Sequence, residues 1–265
     1  MNSLEAHLRQ AVANAVVVTD PGPHVVIPNL LPAEIYARLL DTIPPPETFD
    51  VADRVKSNFD PEKTMTAPAL SRETWSWFHE DVVSKQLAPL LTDAFRSHLG
   101  DAYEGLFGPD FREAALNITH RAFQGRLMLR RPGYRLKPHR DKKSALLTGL
   151  VYLARPGDSA EYGTELFRVL DDRPADIKKT YYPEDHGARA ELVRSVPFVG
   201  NSALVFMNVP GMAHGAGIPH DALQSERYAY QFYVGPLKRD VRQLIRQLSP
   251  DHAAQWKSEA PDDDY

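Results

Sequence analysis

Residues 127–154, LMLRRPGYRLKPHRDKKSALLTGLVYLA, hold two short apolar runs separated by a Pro-Gly turn and a charged loop. The runs are too short for free-standing helices and carry the residues that suit a pleated sheet. The same grammar continues outward in FQGRLMLRR (123–131), ALLTGLVYLA (145–154), ELFRVL (165–170), ELVRSVPF (191–198), SALVFMNV (202–209) and RYAYQFYV (227–234), divided by Gly, Pro and Asp. So many strands within little more than a hundred residues predict a mainly β protein with flanking helices. The expected core is an antiparallel jelly roll, a double-stranded β-helix, and not a set of βαβ units.

The chain before this region reads as helical. Leu4 to Val17 has helical spacing, HVVIPNLL (24–31) reads as a short strand, and AEIYARLLDTI (33–43) is amphipathic, with Ile35, Leu39, Leu40 and Ile43 on one face. Pro44-Pro45-Pro46 must end that helix, since proline lacks a donor and keeps its predecessor out of the αR region. Residues 47–70 are polar and proline-spaced and read as loop. Ser71 is the expected N-cap of a helix carrying Trp75, Phe78 and Val82, and a second helix is expected over Leu87–Leu99, stopped by Gly100. Residues 171–191 lack strand periodicity and suit a lid at a barrel mouth. Residues 239–248 read as a closing helix and PDDDY as a frayed tail. The resulting division is one catalytic domain over 1–265: helical support over 1–110, the roll over 122–236, and a C-terminal helix and tail over 237–265.

Composition narrows the chemistry. The 265 residues include 43% hydrophobic and 25% charged residues, with a net charge of −4 and no cysteine. Thiolate metal sites, iron–sulfur clusters, disulfides and cysteine nucleophiles are excluded. A transition metal must be held by imidazole and carboxylate, which suits iron, manganese or zinc. The modest charge calls for neither nucleic acid nor a membrane surface. The N-terminus lacks signal-peptide character and no apolar run reaches the length of a bilayer span, so a cytoplasmic enzyme is expected. Oligomeric state is left open.

His139 and Asp141 lie two apart in KPHRDKK, so on extended backbone both side chains point to one side. A third ligand is needed. His214, in MNVPGMAHGAGIP, follows an apolar strand and lies between Gly211 and Gly215; His220 is its competitor, in the turn-like IPHDALQSE. Antiparallel strands distant in sequence are neighbours in space, so a gap of about 75 residues is no obstacle. Two imidazoles and one carboxylate form the facial triad of non-haem Fe(II) sites, with three positions left open. A 2-oxo acid fills two of these, O2 the third, and its far carboxylate needs a buried cation. Arg227, opening RYAYQFYV, offers the bidentate fork.

HxD, a distal His before Gly and an Arg on the last strand together resemble the Fe(II)/2-oxoglutarate-dependent dioxygenase superfamily, and RPGYRLKPHRD resembles its prolyl-4-hydroxylase-like members. GLVYLA with YGTELFRV, and HVVIPNLLPAEIYARLL, resemble flanking elements of the same domain, so the match touches residues 24–43 and 126–235. The resemblance implies a cupin-like roll, with Fe(II) on His139, Asp141 and His214. It implies 2-oxoglutarate on Arg227, with Tyr134 and Tyr152 as further hydrogen-bonding candidates, O2 as co-substrate, and ascorbate as an in vitro reductant. The implied reaction hydroxylates a C–H of a small-molecule, carrier-bound or peptidyl substrate and releases succinate and CO2. Asp141 favours hydroxylation, because related halogenases resemble this pattern with a small residue in its place. Arg227 departs from the Lys usual in prolyl-4-hydroxylases and lies a little farther from the distal His. The alternative is a cupin-like isomerase, hydrolase or sugar-binding module, or a scaffold without metal. The basic cluster Arg130, Arg131, Arg135, Lys137, Arg140, Lys142 and Lys143 reads as a solvated rim, or as the mouth for an anionic substrate.

Overall fold

A computed structural model describes residues 3–142, 145–172, 180–222 and 225–249. Helix α1 (Ser3–Ala13) buries Leu4, Leu8 and Val12, spaced one turn apart. It stops short of the expected Val17 because the β-branched run Val16-Val17-Val18 leaves the helix, and Val18 bridges His24 instead. β1 (His24–Ile27) and α2 (Ala33–Asp41) follow, α2 burying Leu39 with Ile35, Leu40 and Ile43 packed beside it.

Residues 47–70, expected to be loop, contain a hairpin. β2 (Asp50–Asp53) pairs with β3 (Lys56–Phe59), and β3 pairs in turn with the long strand β4 (His120–Arg130). α3 (Ala69–Trp77) starts after Pro68, so Ser71 lies buried inside its first turn instead of capping it. A π-type segment, Phe78–Leu87, leads into α4 (Ala88–Ala94). The expected single helix through Leu99 is broken at Phe95; Gly100 lies within α5 (Arg96–Phe107), and the stop is Gly108, whose φ of +103° suits only glycine. α6 (Phe111–Ala114) ends the helical layer.

The roll is built from β4, β5 (Arg135–His139), β6 (Leu147–Tyr152), β7 (Thr164–Leu170), β8 (Arg189–Val196), β9 (Ser202–Met207), β10 (Met212–Gly217) and β11 (Arg227–Pro236). One sheet runs β1-β9-β6-β11-β4-β3-β2 and the facing sheet β5-β10-β7-β8, with antiparallel pairing throughout. The chain crosses between sheets at nearly every step from β4 to β11, which is the jelly roll read from the sequence. β8 begins inside the expected 171–191 lid, of which residues 173–179 lie outside the described residues, as do Lys143 and the PDDDY tail. α7 (Lys238–Leu248) closes the fold on Val241 and Ile245.

Strand alternation gives the large sheet two unlike faces. On β11, Tyr228, Tyr230, Phe232 and Val234 belong to the core under the helices. Trp75 stacks on Tyr230 at 5.6 Å and Phe78 meets it edge-on at 5.0 Å. The alternate residues of β11 point between the sheets, into the cavity described next.

Candidate metal centre and its cavity

Strand register, not a loop, assembles the centre. His139 ends β5 and lies directly opposite His214 on β10. Their rings are 4.0 Å apart, and Asp141 reaches the same point just past the strand end. Asp141 Oδ1 is 3.8 Å from His139 Nε2, and its Oδ2 is 3.8 Å from His214 Nε2. All three residues are buried, with donor atoms within 4.8 Å of one another, and they are the one such group among the described residues. His220, the competing ligand, is exposed in its turn and outside this group. Gly211, at φ +81°, makes the turn before His214, whereas Gly215 lies within β10.

The donor set fits a divalent cation. Burial lowers the proton affinity of both imidazoles, further in His214 because His139 faces it. His139 Nδ1–H donates to the Lys137 carbonyl at 3.0 Å, which leaves the Nε2 lone pair aimed at Asp141. Two neutral rings cannot neutralise the buried carboxylate, and an ion between them can. The carboxylate is held in place: Thr148 Oγ1 donates to Asp141 Oδ2 at 2.8 Å, and Asn208 Nδ2 donates to Thr148 Oγ1 at 2.8 Å. Tyr233 donates to Oδ1 at 3.4 Å.

A buried ion pair clamps this arrangement from behind. Arg140 binds both carboxylate oxygens of Asp172, and Asp172 also accepts from the Gly211 N–H at 2.8 Å. The pair thus ties the β5 end, which carries the HxD, to the turn that presents His214. The sequence reading missed Asp172 and placed Arg140 in a basic cluster read as a solvated rim or as the mouth for an anionic substrate; Arg140 is neither, being 1% exposed with its guanidinium 4.7 Å from the Tyr181 ring.

The triad lines a cavity of about 150 Å³ between the sheets, and Arg227 and Tyr134 share its wall. Arg227 Nη1 donates to the carbonyls of Tyr162 and Gly163, while its buried Nε has no partner among the described residues. Only glycine fits at 163, since a Cβ there would lie 1.6 Å from the Val196 carbonyl oxygen. Among the described residues no carboxylate pairs with Arg227: Glu226 pairs instead with Arg131 at 3.0 Å. Tyr134 stacks under Arg130 at 5.1 Å, and the buried Tyr152 donates its hydroxyl to Thr164 Oγ1 at 2.8 Å. Thr180 and Tyr182, from the expected lid, complete the wall, and Tyr182 lies 5.6 Å from the His139 ring.

Sequence reasoning missed Lys56, Arg126 and Gln231, which line the same cavity. A signal existed for two of them: alternation puts Arg126, Met128 and Arg130 on one face of β4, and Gln231 is the lone amide in an apolar strand. The rest of the basic cluster disperses. Arg135 and Lys137 stand 3.8 Å from Glu165 and Asp185, and Lys142 lies over the Phe123 ring. Among the described residues no helix is long and apolar enough to cross a membrane.

No family model matches the chain, and no curated protein matches it in sequence. Among solved structures it is similar to HygX from Streptomyces hygroscopicus, with nickel, 2-oxoglutarate and hygromycin B bound. That match has 15% identity and a TM-score of 0.43 and covers 81% of this chain and 83% of that one. It is also similar to a 2OG-Fe(II) oxygenase family oxidoreductase from Burkholderia pseudomallei, at 10% identity, 89% and 91% coverage and a TM-score of 0.46. A Pseudomonas putida prolyl-4-hydroxylase matches at 13% identity, 88% and 98% coverage and a TM-score of 0.44. Strand order and register make this chain a jelly roll, and within that roll a buried His–Asp–His group shares one cavity with a buried arginine.

Proposed function

We propose that the protein is a non-haem Fe(II), 2-oxoglutarate-dependent oxygenase that hydroxylates an unactivated C–H of a small-molecule, carrier-bound or peptidyl substrate. The observation that carries this reading is the shared cavity of His139, Asp141, His214 and Arg227. Two neutral imidazoles and one carboxylate suit Fe(II) and leave half an octahedron for exogenous ligands. Iron(II) with 2-oxoglutarate and O2 supplies the oxidation, one oxygen atom entering the substrate as hydroxyl and the other leaving in succinate beside CO2.

The chain's own residues position and shield. His139 and His214 offer Nε2 lone pairs, and Asp141 offers a carboxylate whose angle Thr148 and Asn208 fix. Arg227 holds the far carboxylate of the co-substrate. Its Nη1 is committed to two backbone carbonyls, and its Nε is a buried donor that an anion would satisfy. Tyr134 and Tyr152 flank that guanidinium and keep its surroundings polar. Thr180 and Tyr182 close the cavity against water. A cupin-like site of three histidines and a glutamate finds no support in this donor set. Purified protein given Fe(II), ascorbate, O2 and 2-oxoglutarate is expected to release succinate even without a primary substrate. His139→Ala is expected to release none, and equal release by that variant contradicts the reading.

A further inference from the structure

The cavity holds more positive charge than the co-substrate needs. Cross-strand register aligns Lys56 on β3 with Arg130 on β4, and Arg130 with Arg227 on β11. Directly opposed residues share a face, so three neighbouring strands each send a cation inward at one level. Arg126, two face-sharing rows farther along β4 with Met128 between, lies opposite Gln231. Asp141 is the only acid on the described cavity wall.

Two of the four cations are accounted for. Arg227 serves the co-substrate under the reading above. Arg130 is consumed locally, donating to Ser57 O at 2.7 Å, Leu129 O at 2.9 Å and Asn58 Oδ1 at 3.0 Å. Lys56 and Arg126 remain. Arg126 is aimed by its Nε and Nη2, which both donate to the buried Gln231 Oε1, at 2.8 and 2.5 Å; its Nη1 has no partner among the described residues. The Lys56 ammonium has neither hydrogen bond nor ion pair among them. Asp53 lies opposite Lys56 in the hairpin, yet it is exposed and accepts from the Val55 N–H at 2.9 Å. Half-burial and the nearby Arg130 and Arg126 weaken the hold of Lys56 on its proton, and the exposed Asp53 only partly opposes them.

Charge counting leads the same way. Neutral imidazoles, one carboxylate and a divalent ion leave one positive charge; a dianionic 2-oxo acid reverses it, and Arg227 cancels the remainder. Lys56, Arg126 and Arg130 then keep their charge uncompensated, and of these Arg130 has its donors filled by neutral carbonyl and amide oxygens, which leaves Lys56 and Arg126 to meet an anion. Nor does closing the roll explain Lys56, since β3 belongs to a hairpin added outside its eight strands.

We infer that the primary substrate is anionic, with a carboxylate or phosphate group that docks between Lys56 and Arg126 on the β3–β4 wall. This rests on the oxygenase reading, and the test separates the two. Protein saturated with Ni(II) and 2-oxoglutarate, which cannot turn over, is titrated calorimetrically with acetate, inorganic phosphate and acetamide. Acetate or phosphate is expected to bind and neutral acetamide is not; the tighter of the two anions names the group. Lys56→Gln and Arg126→Gln are each expected to weaken anion binding about tenfold or more, the worth of one charge-assisted hydrogen bond. Lys56→Arg is expected to retain it, and all three variants to hold 2-oxoglutarate within about twofold of the wild type. Two results overturn the proposal: no anion binding by the loaded wild type, or a loss of 2-oxoglutarate affinity in Lys56→Gln as large as its loss of anion affinity. Should the metal-loaded wild type bind no 2-oxoglutarate, the oxygenase reading fails by itself. The same anion titration of the metal-free protein then decides the site: binding lost in Lys56→Gln upholds it, and unchanged binding overturns it.

Discussion

The two faces of β11 use one strand for opposite ends. Toward the helices, Tyr228, Tyr230, Phe232 and Val234 bury apolar area against Trp75, Phe78 and their neighbours. Toward the facing sheet, Arg227, Gln231 and Tyr233 line a polar cavity. Burying a guanidinium and an amide costs stability unless each finds a partner, whereas burying aromatic rings contributes it. The helix face therefore offsets the cost of a polar interior, and changes on the two faces should separate cleanly into stability and chemistry.

The largest expected effect tests the stabilising face. Trp75→Ala removes a fully buried ring and is expected to lower unfolding free energy by about 3–5 kcal/mol, read by denaturant titration, while folded protein keeps its metal affinity. Loss of metal in the folded fraction would break the separation. On the other face, Arg227→Gln is expected to weaken 2-oxoglutarate binding by roughly 100-fold, the loss of a charge-assisted bidentate contact, with little change in melting temperature. Thr148→Val deletes the hydroxyl that holds Asp141 and is expected to weaken metal affinity about 10- to 100-fold. An unchanged dissociation constant would show that Asp141 needs no such support.

The smallest effect is a pH dependence on the helical side. Burial lowers the proton affinity of His120, opposed by the Ile118 carbonyl, so the unfolded chain takes up that proton first. Its contribution to stability is whole above the ordinary histidine value of 6.5 and is lost as pH falls below it. His120→Gln should flatten the acid limb of a stability-against-pH curve. A limb as steep as the wild type's would leave the slope to the half-buried His79 and the buried His24, His139 and His214.

The same division governed how much could be read from sequence. β4, β6, β9 and β11 announced themselves as apolar runs because one or both of their faces meet a core. The hairpin of β2 and β3 did not: DVAD and KSNF are short and charged, and register with the distant β4 makes them strands. β10, MAHGAG, looks like a turn by composition yet is held between β5 and β7. At the site, the spacing of His139 and Asp141 and the setting of His214 were legible because local geometry suffices there. Lys56 was not, and Arg126 and Gln231 showed only by strand alternation, because pairing between strands far apart in sequence carries all three to the cavity. Asp172 was hidden for the same reason, its partners being Arg140 and the Gly211 N–H.

Anaerobic equilibrium binding of Fe(II) tests the central claim most directly. The account predicts one tightly held ion per chain in the wild type and its loss in His214→Ala and in Asp141→Ala, both still folded by circular dichroism. A folded Asp141→Ala protein that keeps the ion with unchanged affinity would contradict it.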